Sequence, residues 1–222
     1  MSISVVIRTK NEERWIGHTI QSIIDMLDYP EIIIIDNNST DRTLHIVKRF
    51  QYDPEIDNKN SNYTKINIYK TDNYSPGKAL NEGVNHASND KILIISSHCV
   101  LKEFNAEKHL KSLDKHICVF GKQIPIWEGR KITKRYIWSH FTDREEVNMY
   151  SDFESRHFLH NACALYNKRI LIDHPFDEKL VGKEDRYWAN DRVNEGLTYL
   201  YDPEMVVEHH YTPNGNTWKG IG

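Results

Sequence analysis

ISVVIRTKNEERWIGHTIQSIIDMLDYPEIIIIDNNSTD is the sequence of residues 3–41, and its pattern decides the fold. The apolar, β-branched run at 3–7 predicts a strand, and apolar residues at helical spacing over 12–27 predict a helix. The run at 32–35 is apolar throughout, as expected of a parallel strand covered on both faces. Residues 36–41 are rich in turn and helix-capping side chains. This strand–helix–strand order predicts a parallel α/β unit.

The alternation continues to residue 120 and then becomes irregular. Because successive strands alternate with helices, we predict an α/β fold with a doubly wound, mostly parallel sheet flanked by helices. No boundary is visible, so we expect one domain, 1–222, with a change of pattern near residue 121. The further predicted segments are helices at 43–50, 78–87, 103–113 and 184–194, strands at 66–69, 91–95, 117–120 and 205–207, and a polar loop at 51–64.

Composition limits the possible functions. Of the 222 residues, 39% are hydrophobic, which is enough for a packed core. The net charge of -3 argues against a general nucleic-acid binder. Cys99, Cys118 and Cys163 form no CxxC pair, which favours reduced thiols and a cytoplasmic location. No signal-peptide pattern and no run of about 18 apolar residues is present. Contact with the inner face of a membrane stays open.

Polar side chains follow several predicted strands. Arg8 and Thr9 follow the first strand, Asp36 follows the second, and residues 73–74 and 96–98 follow the next two. Ligands of doubly wound sheets bind beyond the carboxyl ends of the strands. We therefore expect these residues to converge on one site.

Four motifs resemble those of the family 2 glycosyltransferases, which have the GT-A fold. They are SVVIRTKN at 4–11, IDNNSTD at 35–41, PGKALNEG at 76–83 and GKEDRYW at 182–188, and the resemblance extends over about residues 3–210. It implies an inverting transferase that moves a sugar from a nucleotide-sugar to a hydroxyl of a saccharide or lipid-linked saccharide. Surface polysaccharide or glycolipid synthesis is the implied setting. Residues 1–121 would bind the donor, and 122–222 would bind the acceptor and carry the catalytic residues.

The resemblance assigns Asp36 to the nucleoside, and a carboxylate can accept hydrogen bonds from a base N–H or ribose hydroxyls. Arg8 and Thr9 are implied to contact the nucleotide, and Asn38 in the following turn is expected to contact the donor. The simpler interpretations are a helix-capping Asp36 and a surface Arg8 at a strand end.

Lys78, Ser97 and His98 are expected near the donor diphosphate. Lys78 lies at a predicted helix start, where backbone N–H groups and the helix dipole attract anions. The simpler interpretations are a solvated Lys78 and a His98 that is satisfied within a polar loop.

The segment Ser96-Ser97-His98 departs from the family, which usually has Asp-x-Asp there to hold a divalent metal. The departure puts carboxylate-bound Mn²⁺ or Mg²⁺ in doubt. One alternative is a metal held by His98 with His209 or His210, since imidazole binds several transition metals. The other is metal-free catalysis, with His98 and Lys78 donating to the leaving phosphate. His209 is preferred to His210 because neighbouring side chains on a strand point to opposite faces.

The Glu184-Asp185 pair supplies the predicted catalytic residues. An inverting transferase needs one base to remove the proton of the acceptor hydroxyl, and the resemblance assigns that role to Asp185. Glu184 is expected to position the acceptor. Helix capping is the simpler interpretation of the pair. Trp127 and Trp138 could form a sugar platform, although core packing is the commoner role of such residues.

Two other functions remain open from sequence. A sugar-phosphate nucleotidyltransferase shares a related architecture, but residues 8–12 lack the glycine-rich loop of that class. A non-catalytic nucleotide-sugar-binding protein would explain the missing Asp-x-Asp. The oligomeric state is not indicated.

Overall fold

The computed structural model describes residues 2–51, 63–132 and 136–218, so most of the predicted polar loop at 51–64 lies outside the described residues. The first four strands are parallel and adjacent, in the order β3-β2-β1-β4. This confirms the predicted α/β start. The elements are β1 (Ile3–Thr9), α1 (Ile16–Met26), β2 (Glu31–Asp36), α2 (Thr43–Lys48), β3 (Lys65–Lys70), α3 (Pro76–His86) and β4 (Lys91–Ile95).

The second half completes the same sheet with mixed strand directions. Its strands extend the order to β3-β2-β1-β4-β11-β6-β12-β5, where β11 is antiparallel to both of its neighbours and β12 is parallel to β6. The elements are β5 (Cys99–Glu103), α4 (Ala106–Ser112), β6 (Cys118–Trp127), β7 (Arg130–Lys131), β8 (Glu146–Val147), β9 (Tyr150–Ser151), β10 (Arg156–His157), β11 (Cys163–Asn167), α5 (Lys168–Asp173), α6 (Glu184–Asn194) and β12 (Leu200–His210), with 3-10 helices at Tyr136–His140 and Asn216–Trp218.

The sheet is buried on both faces, and each face has its own apolar cluster. Side chains of a strand alternate between faces, so Val5 and Ile7 pack towards α1 whereas Val6 packs towards α3. All six residues of β2 are buried. Covering on both sides explains why its sequence is a continuous apolar run rather than an alternating one.

Several boundaries differ from the sequence predictions. The helix expected from residue 103 begins at Ala106, because Asn105 caps it by accepting a hydrogen bond from the Lys108 amide at 3.0 Å. Strand β12 is longer than the apolar run at 205–207, since a bulge between Asp202 and Val206 interrupts its pattern. Strand β11 and helix α5 were not predicted. Helix α6 spans the predicted 184–194.

Helix α3 lies unusually close to the sheet. A Cβ atom on Gly83 would lie 2.3 Å from Cγ1 of Val6, so only glycine fits at this position. The last glycine of the 76–83 motif therefore has a packing role. Within the described ranges, no helix is long and apolar enough to cross a membrane.

Candidate functional site

The carboxyl ends of the parallel strands open onto a cleft of about 240 Å³, here called the strand-end cleft. It brings together five of the residues predicted from sequence, and this convergence follows from the parallel topology. Those five are Arg8, Thr9, Ser97, His98 and Asp185. The cleft is also lined by Tyr74 and Ser96, which were expected at this edge of the sheet. Its further lining residues include Lys10, Glu12, His160, Asn161, Asn214 and Thr217.

Five predicted site residues do not line this cleft: Asp36, Asn38, Lys78, Glu184 and His209. The ammonium group of Lys78 donates to the carbonyl of Asp72 and lies 3.7 Å from Glu82. Asn38 has a positive φ of 51° and forms the turn after β2, while the cleft is lined by its neighbour. Metal-free catalysis through Lys78 thus gains no support from its position.

Asp36 lies beneath the cleft and is fully buried. Its Oδ2 atom accepts a hydrogen bond from the Ser39 amide at 3.0 Å, whereas Oδ1 is buried without a hydrogen-bond partner. The hydroxyls of Thr9 and Thr71 are also buried without partners, and Thr9 is in register with Asp36. Buried polar atoms are normally paired, so three unpaired groups at neighbouring strand ends are suited to a polar ligand.

A chain of four polar side chains runs below the opposite end of the strand-end cleft. The Nε2 atoms of His98 and His209 are 3.0 Å apart. Nδ1 of His98 lies 3.3 Å from a carboxylate oxygen of Glu12, and Nδ1 of His209 donates to Oε1 of Gln123 at 2.8 Å. Because its Nδ1 carries the proton, neutral His209 presents the Nε2 lone pair to His98.

Burial favours the neutral forms of His160 and His209. Desolvation lowers the pKa of His209 well below its ordinary value, and electrostatic interaction with His98 and His160 lowers it further. The pKa of His160 is likewise lowered by burial and by Arg186 and Arg8. A neutral imidazole can act as a ligand or as a hydrogen-bonding partner.

Asp185 lies in the first turn of α6 and is buried. Its Oδ2 accepts a hydrogen bond from the Asn161 amide at 2.9 Å, and its Oδ1 accepts one from the Arg186 amide at 2.9 Å. The Nη1 atom of Arg186 lies 2.9 Å from both oxygens. A carboxylate accepts about four hydrogen bonds, so these contacts hold Asp185 still and occupy its lone pairs.

Glu184 connects α6 to the end of β1. Its carboxylate accepts a hydrogen bond from Nη1 of Arg8 at 2.6 Å, and it is 3% exposed. Burial would lower the pKa of Arg8, but the Glu184 carboxylate outweighs this and raises it, so Arg8 stays charged. Glu184 and Asp185 together place two carboxylates at the positive end of the α6 dipole, which stabilises the start of the helix.

A second cleft of about 550 Å³, here called the side cleft, adjoins the strand-end cleft. Four residues line both clefts: Arg8, His160, Asp185 and Thr217. The side cleft is also lined by Tyr136, Ile137, Phe153, Glu154, Val181, Gly182, Lys183, Glu184 and Arg186. No sequence pattern pointed to His160 or Asn161, because they precede the unpredicted β11.

The tryptophans considered as a sugar platform lie elsewhere. Trp138 is 1% exposed and belongs to the core, so the platform interpretation is wrong for it. Trp127 packs on Tyr211 with ring centroids 3.9 Å apart and lines neither cleft. The exposed aromatic side chains of the side cleft are Tyr136 and Phe153 instead.

The α/β fold, the polar strand ends and the buried Glu-Asp pair at the head of a helix agree with the glycosyltransferase resemblance of the four sequence motifs. Residues 4–174 match Glycosyl transferase family 2, and the chain belongs to that family. The structure of TarS from Staphylococcus aureus in complex with UDP-GlcNAc superposes with a TM-score of 0.71 over 99% of this chain and 61% of that one, at 19% identity. The expected GT-A fold is thereby confirmed.

Two curated relatives are glycosyltransferases by name. The Methanococcus voltae dolichyl N-acetyl-alpha-D-glucosaminyl phosphate 3-beta-D-2,3-diacetamido-2,3-dideoxy-beta-D-glucuronosyltransferase is 35% identical over 100 residues, 43% of this chain and 29% of that protein. The Campylobacter jejuni GalNAc(5)-diNAcBac-PP-undecaprenol beta-1,3-glucosyltransferase is 25% identical over 193 residues, 85% of this chain and 59% of that protein. The chain thus spans less than two thirds of either relative.

Proposed function

We propose that this chain transfers a sugar from a nucleoside-diphosphate sugar to a hydroxyl group of a saccharide or lipid-linked saccharide, with inversion at the anomeric carbon. One observation carries the proposal: Asp185 lines both the strand-end cleft and the side cleft. A base at the junction of two clefts can contact an acceptor in one while a donor occupies the other. The relatives that use lipid-linked substrates support such an acceptor, reached by peripheral contact with a membrane from the cytoplasmic side.

The strand-end cleft would hold the donor. Thr9 lines this cleft with an unpaired hydroxyl. Asp36 Oδ1 and the Thr71 hydroxyl are unpaired and buried at the neighbouring strand ends, and a pyrimidine and its ribose would satisfy them after a local movement exposes them. UDP is the favoured nucleotide, because the TarS structure contains UDP-GlcNAc. Among the described residues, the arginine and lysine side chains that line this cleft are those of Arg8 and Lys10. Arg8 is paired with Glu184. Lys10 is therefore the cation best placed to contact a phosphate.

The proposed reaction is a single displacement. The acceptor oxygen forms a bond to the anomeric carbon from the face opposite the nucleotide. The bond from that carbon to the phosphate oxygen breaks, and the nucleoside diphosphate leaves with the electron pair. Asp185 accepts the proton of the acceptor hydroxyl. Since its lone pairs are occupied, Arg186 must release one carboxylate oxygen before the proton can move.

A divalent metal held by His98 and His209 would have to replace the contact between their rings and lie to one side of it, because metal–imidazole bonds are about 2.1 Å long. Their Nε2 atoms are 3.0 Å apart, Nδ1 of His209 is oriented by its hydrogen bond to Gln123, and Nδ1 of His98 lies 3.3 Å from a Glu12 oxygen without a hydrogen bond. Such outer contacts are typical of histidine ligands. Two imidazoles favour a transition ion over Mg²⁺. Residues 2–51, 63–132 and 136–218 contain no group of three His, Cys, Asp or Glu side chains suited to a metal. When bound, the metal would stabilise negative charge on the diphosphate.

The test is a hydrolysis and transfer screen over UDP-, GDP-, dTDP- and CMP-sugars with methyl glycoside acceptors. Each reaction is run with Mn²⁺, with Mg²⁺ and with EDTA, and UDP binding is measured by calorimetry. We expect turnover of a UDP-sugar that EDTA decreases, and a loss of the metal effect in His98→Ala. Failure of every nucleotide sugar to react or bind would overturn the proposal.

A non-catalytic nucleotide-sugar binder is the second candidate. The occupied lone pairs of Asp185 favour it, because a base must have an oxygen free for the proton. The same screen separates the two functions. Nucleotide-sugar binding without turnover over the whole acceptor panel would favour the binder.

A further inference from the structure

Two exposed aromatic side chains border the side cleft. Phe153 is 72% exposed and Tyr136 is 61% exposed, which is unusual for large rings in a folded protein. Their ring centroids are 6.2 Å apart with planes inclined by 60°, so neither ring covers the face of the other. Both lie in the cleft that contains Asp185.

The turn that carries Phe153 is anchored by contacts of the following residue. Phe153 lies between β9 and β10, and the next residue, Glu154, is buried, with a side chain that is 4% exposed. The Glu154 carboxylate lies 3.4 Å from Nζ of Lys183 and 3.7 Å from Nε of Arg186. The Glu154 amide donates to the hydroxyl of Ser151 at 3.0 Å. The turn that presents Phe153 is thus anchored to the arginine that holds Asp185.

The charges of the side cleft are balanced among the described residues. Its carboxylates, on Glu154, Glu184 and Asp185, each lie within 4 Å of a cation. The three cations are Arg8, Lys183 and Arg186. A bound group therefore meets paired charges and ring faces rather than an excess charge. Recognition would depend on hydrogen bonds and on packing against the rings.

We propose that Phe153 and Tyr136 form an acceptor subsite that packs against the apolar face of a pyranose ring, with one hydroxyl of that ring directed to Asp185. The inference rests on the proposed function and specifies its acceptor as an uncharged saccharide. Aromatic faces pack well against the C–H face of a sugar, while sugar hydroxyls replace water around paired charges. A hydrocarbon chain in this position would instead desolvate the ion pairs at a cost.

The experiment measures binding of two probes, methyl β-D-glucopyranoside and the methyl glycoside of N-acetylglucosamine, in the presence of UDP. Saturation-transfer NMR and titration give contact and Kd. Phe153→Ala and Tyr136→Ala should each weaken saccharide binding by roughly five- to tenfold. Phe153→Trp should keep it within about twofold. Tyr150→Ala is the matched control, because Tyr150 is 48% exposed on the same hairpin but lies outside the cleft.

The UDP affinity should stay unchanged in all four variants. The inference is overturned if wild-type protein binds neither saccharide, or if both alanine variants bind as wild type does. Farnesyl phosphate is titrated in parallel as a lipid probe. The inference is also overturned if the two alanine variants lose affinity for farnesyl phosphate but keep their affinity for the saccharides. Absence of UDP binding and of donor turnover in wild type would instead sink the proposed function, and the saccharide titration would still report on the cleft.

Discussion

Nη1 of Arg186 lies 2.9 Å from both carboxylate oxygens of Asp185, its neighbour in the chain. Both side chains are 6% exposed, so the pair is buried at the junction of the two clefts. Arg186 also lies 3.7 Å from Glu154 and stacks 4.5 Å above the ring of Phe158. A single guanidinium therefore joins the proposed base to the turn that borders the side cleft.

Replacing Asp185 by Asn should abolish transfer and leave nucleotide binding almost unchanged. The amide keeps the size of the side chain but cannot accept the acceptor proton, so we expect kcat to fall by about 10²- to 10⁴-fold. The measurement is kcat with the donor found in the screen, beside UDP calorimetry. Asp191→Asn, at an exposed position of the same helix, should have normal activity. Full activity of the Asp185 variant would refute the assignment.

Arg186→Met should decrease both stability and turnover. The substitution leaves Asp185 buried without its cation and leaves Glu154 with Lys183 alone, so the free energy of unfolding should fall by about 3–5 kcal/mol. Because Arg186 contacts neither Asp36 nor Lys10, UDP affinity should remain near that of wild type while kcat falls. The measurements are urea unfolding, UDP calorimetry and kcat.

The matched control for Arg186→Met is Arg169→Met. Arg169 is 84% exposed and pairs with Asp173 on the surface, so its loss should cost about 1 kcal/mol or less. Equal destabilisation by the two substitutions would show that the buried pair has no special role.

Gly83→Ala should destabilise the fold. The added methyl group would lie 2.3 Å from Cγ1 of Val6 and 3.4 Å from Cγ1 of Ile35, so α3 must move away from the sheet. Overpacking of this kind costs about 1–3 kcal/mol. The neighbouring surface substitution Glu82→Ala should change stability by about 0.5 kcal/mol or less. Comparable urea midpoints for the two variants would contradict the close approach.

The sequence predicted the parallel half of the fold well because its signals are local. Strands covered on both faces have continuous apolar runs, as at 32–35, and turn residues follow them directly. The mixed half was predicted less well. Strand β11 has the short sequence CALYN, and β12 contains Asp202, Pro203 and Glu204 at its bulge, so neither has a clear period. Pairing with distant strands stabilises both, and no local pattern reports that.

The candidate site divides in the same way. Residues that follow parallel strands, such as Arg8 and His98, could be placed from topology alone. The partners of Asp185 could not, since Asn161 lies 24 positions away and contacts it through a backbone amide. The direction in which a side chain points from a turn or helix start was also not predictable. Lys78, which was expected at the diphosphate, contacts Asp72 and Glu82 rather than the strand-end cleft.

Folding stability should decrease as the pH falls from about 6.5 towards 4. Burial lowers the pKa of His210 to about 4, with His18, His98 and Lys102 adding to the effect and Glu208 opposing it. His160 and His209 are also shifted well below the ordinary histidine value. An unfolded histidine has a pKa of about 6.5, so in this window the unfolded chain binds more protons than the folded one. Stability is therefore full above about pH 6.5 and is lost progressively as the pH decreases.

The measurement is the urea midpoint at pH 7.5, 6.5, 5.5 and 4.5. His210→Gln should decrease the slope of the midpoint against pH between pH 7.5 and pH 4.5. Asp202 does not affect the comparison over this pH range. Hydrogen bonds from His109 and Lys108 lower its pKa to about 2 despite burial, so its contribution to the free energy of unfolding is lost only below the ordinary carboxylate range. His45→Gln, at an exposed position on α2, is the control and should keep the wild-type slope. A midpoint independent of pH over this range would show that the buried histidines do not couple folding to protonation.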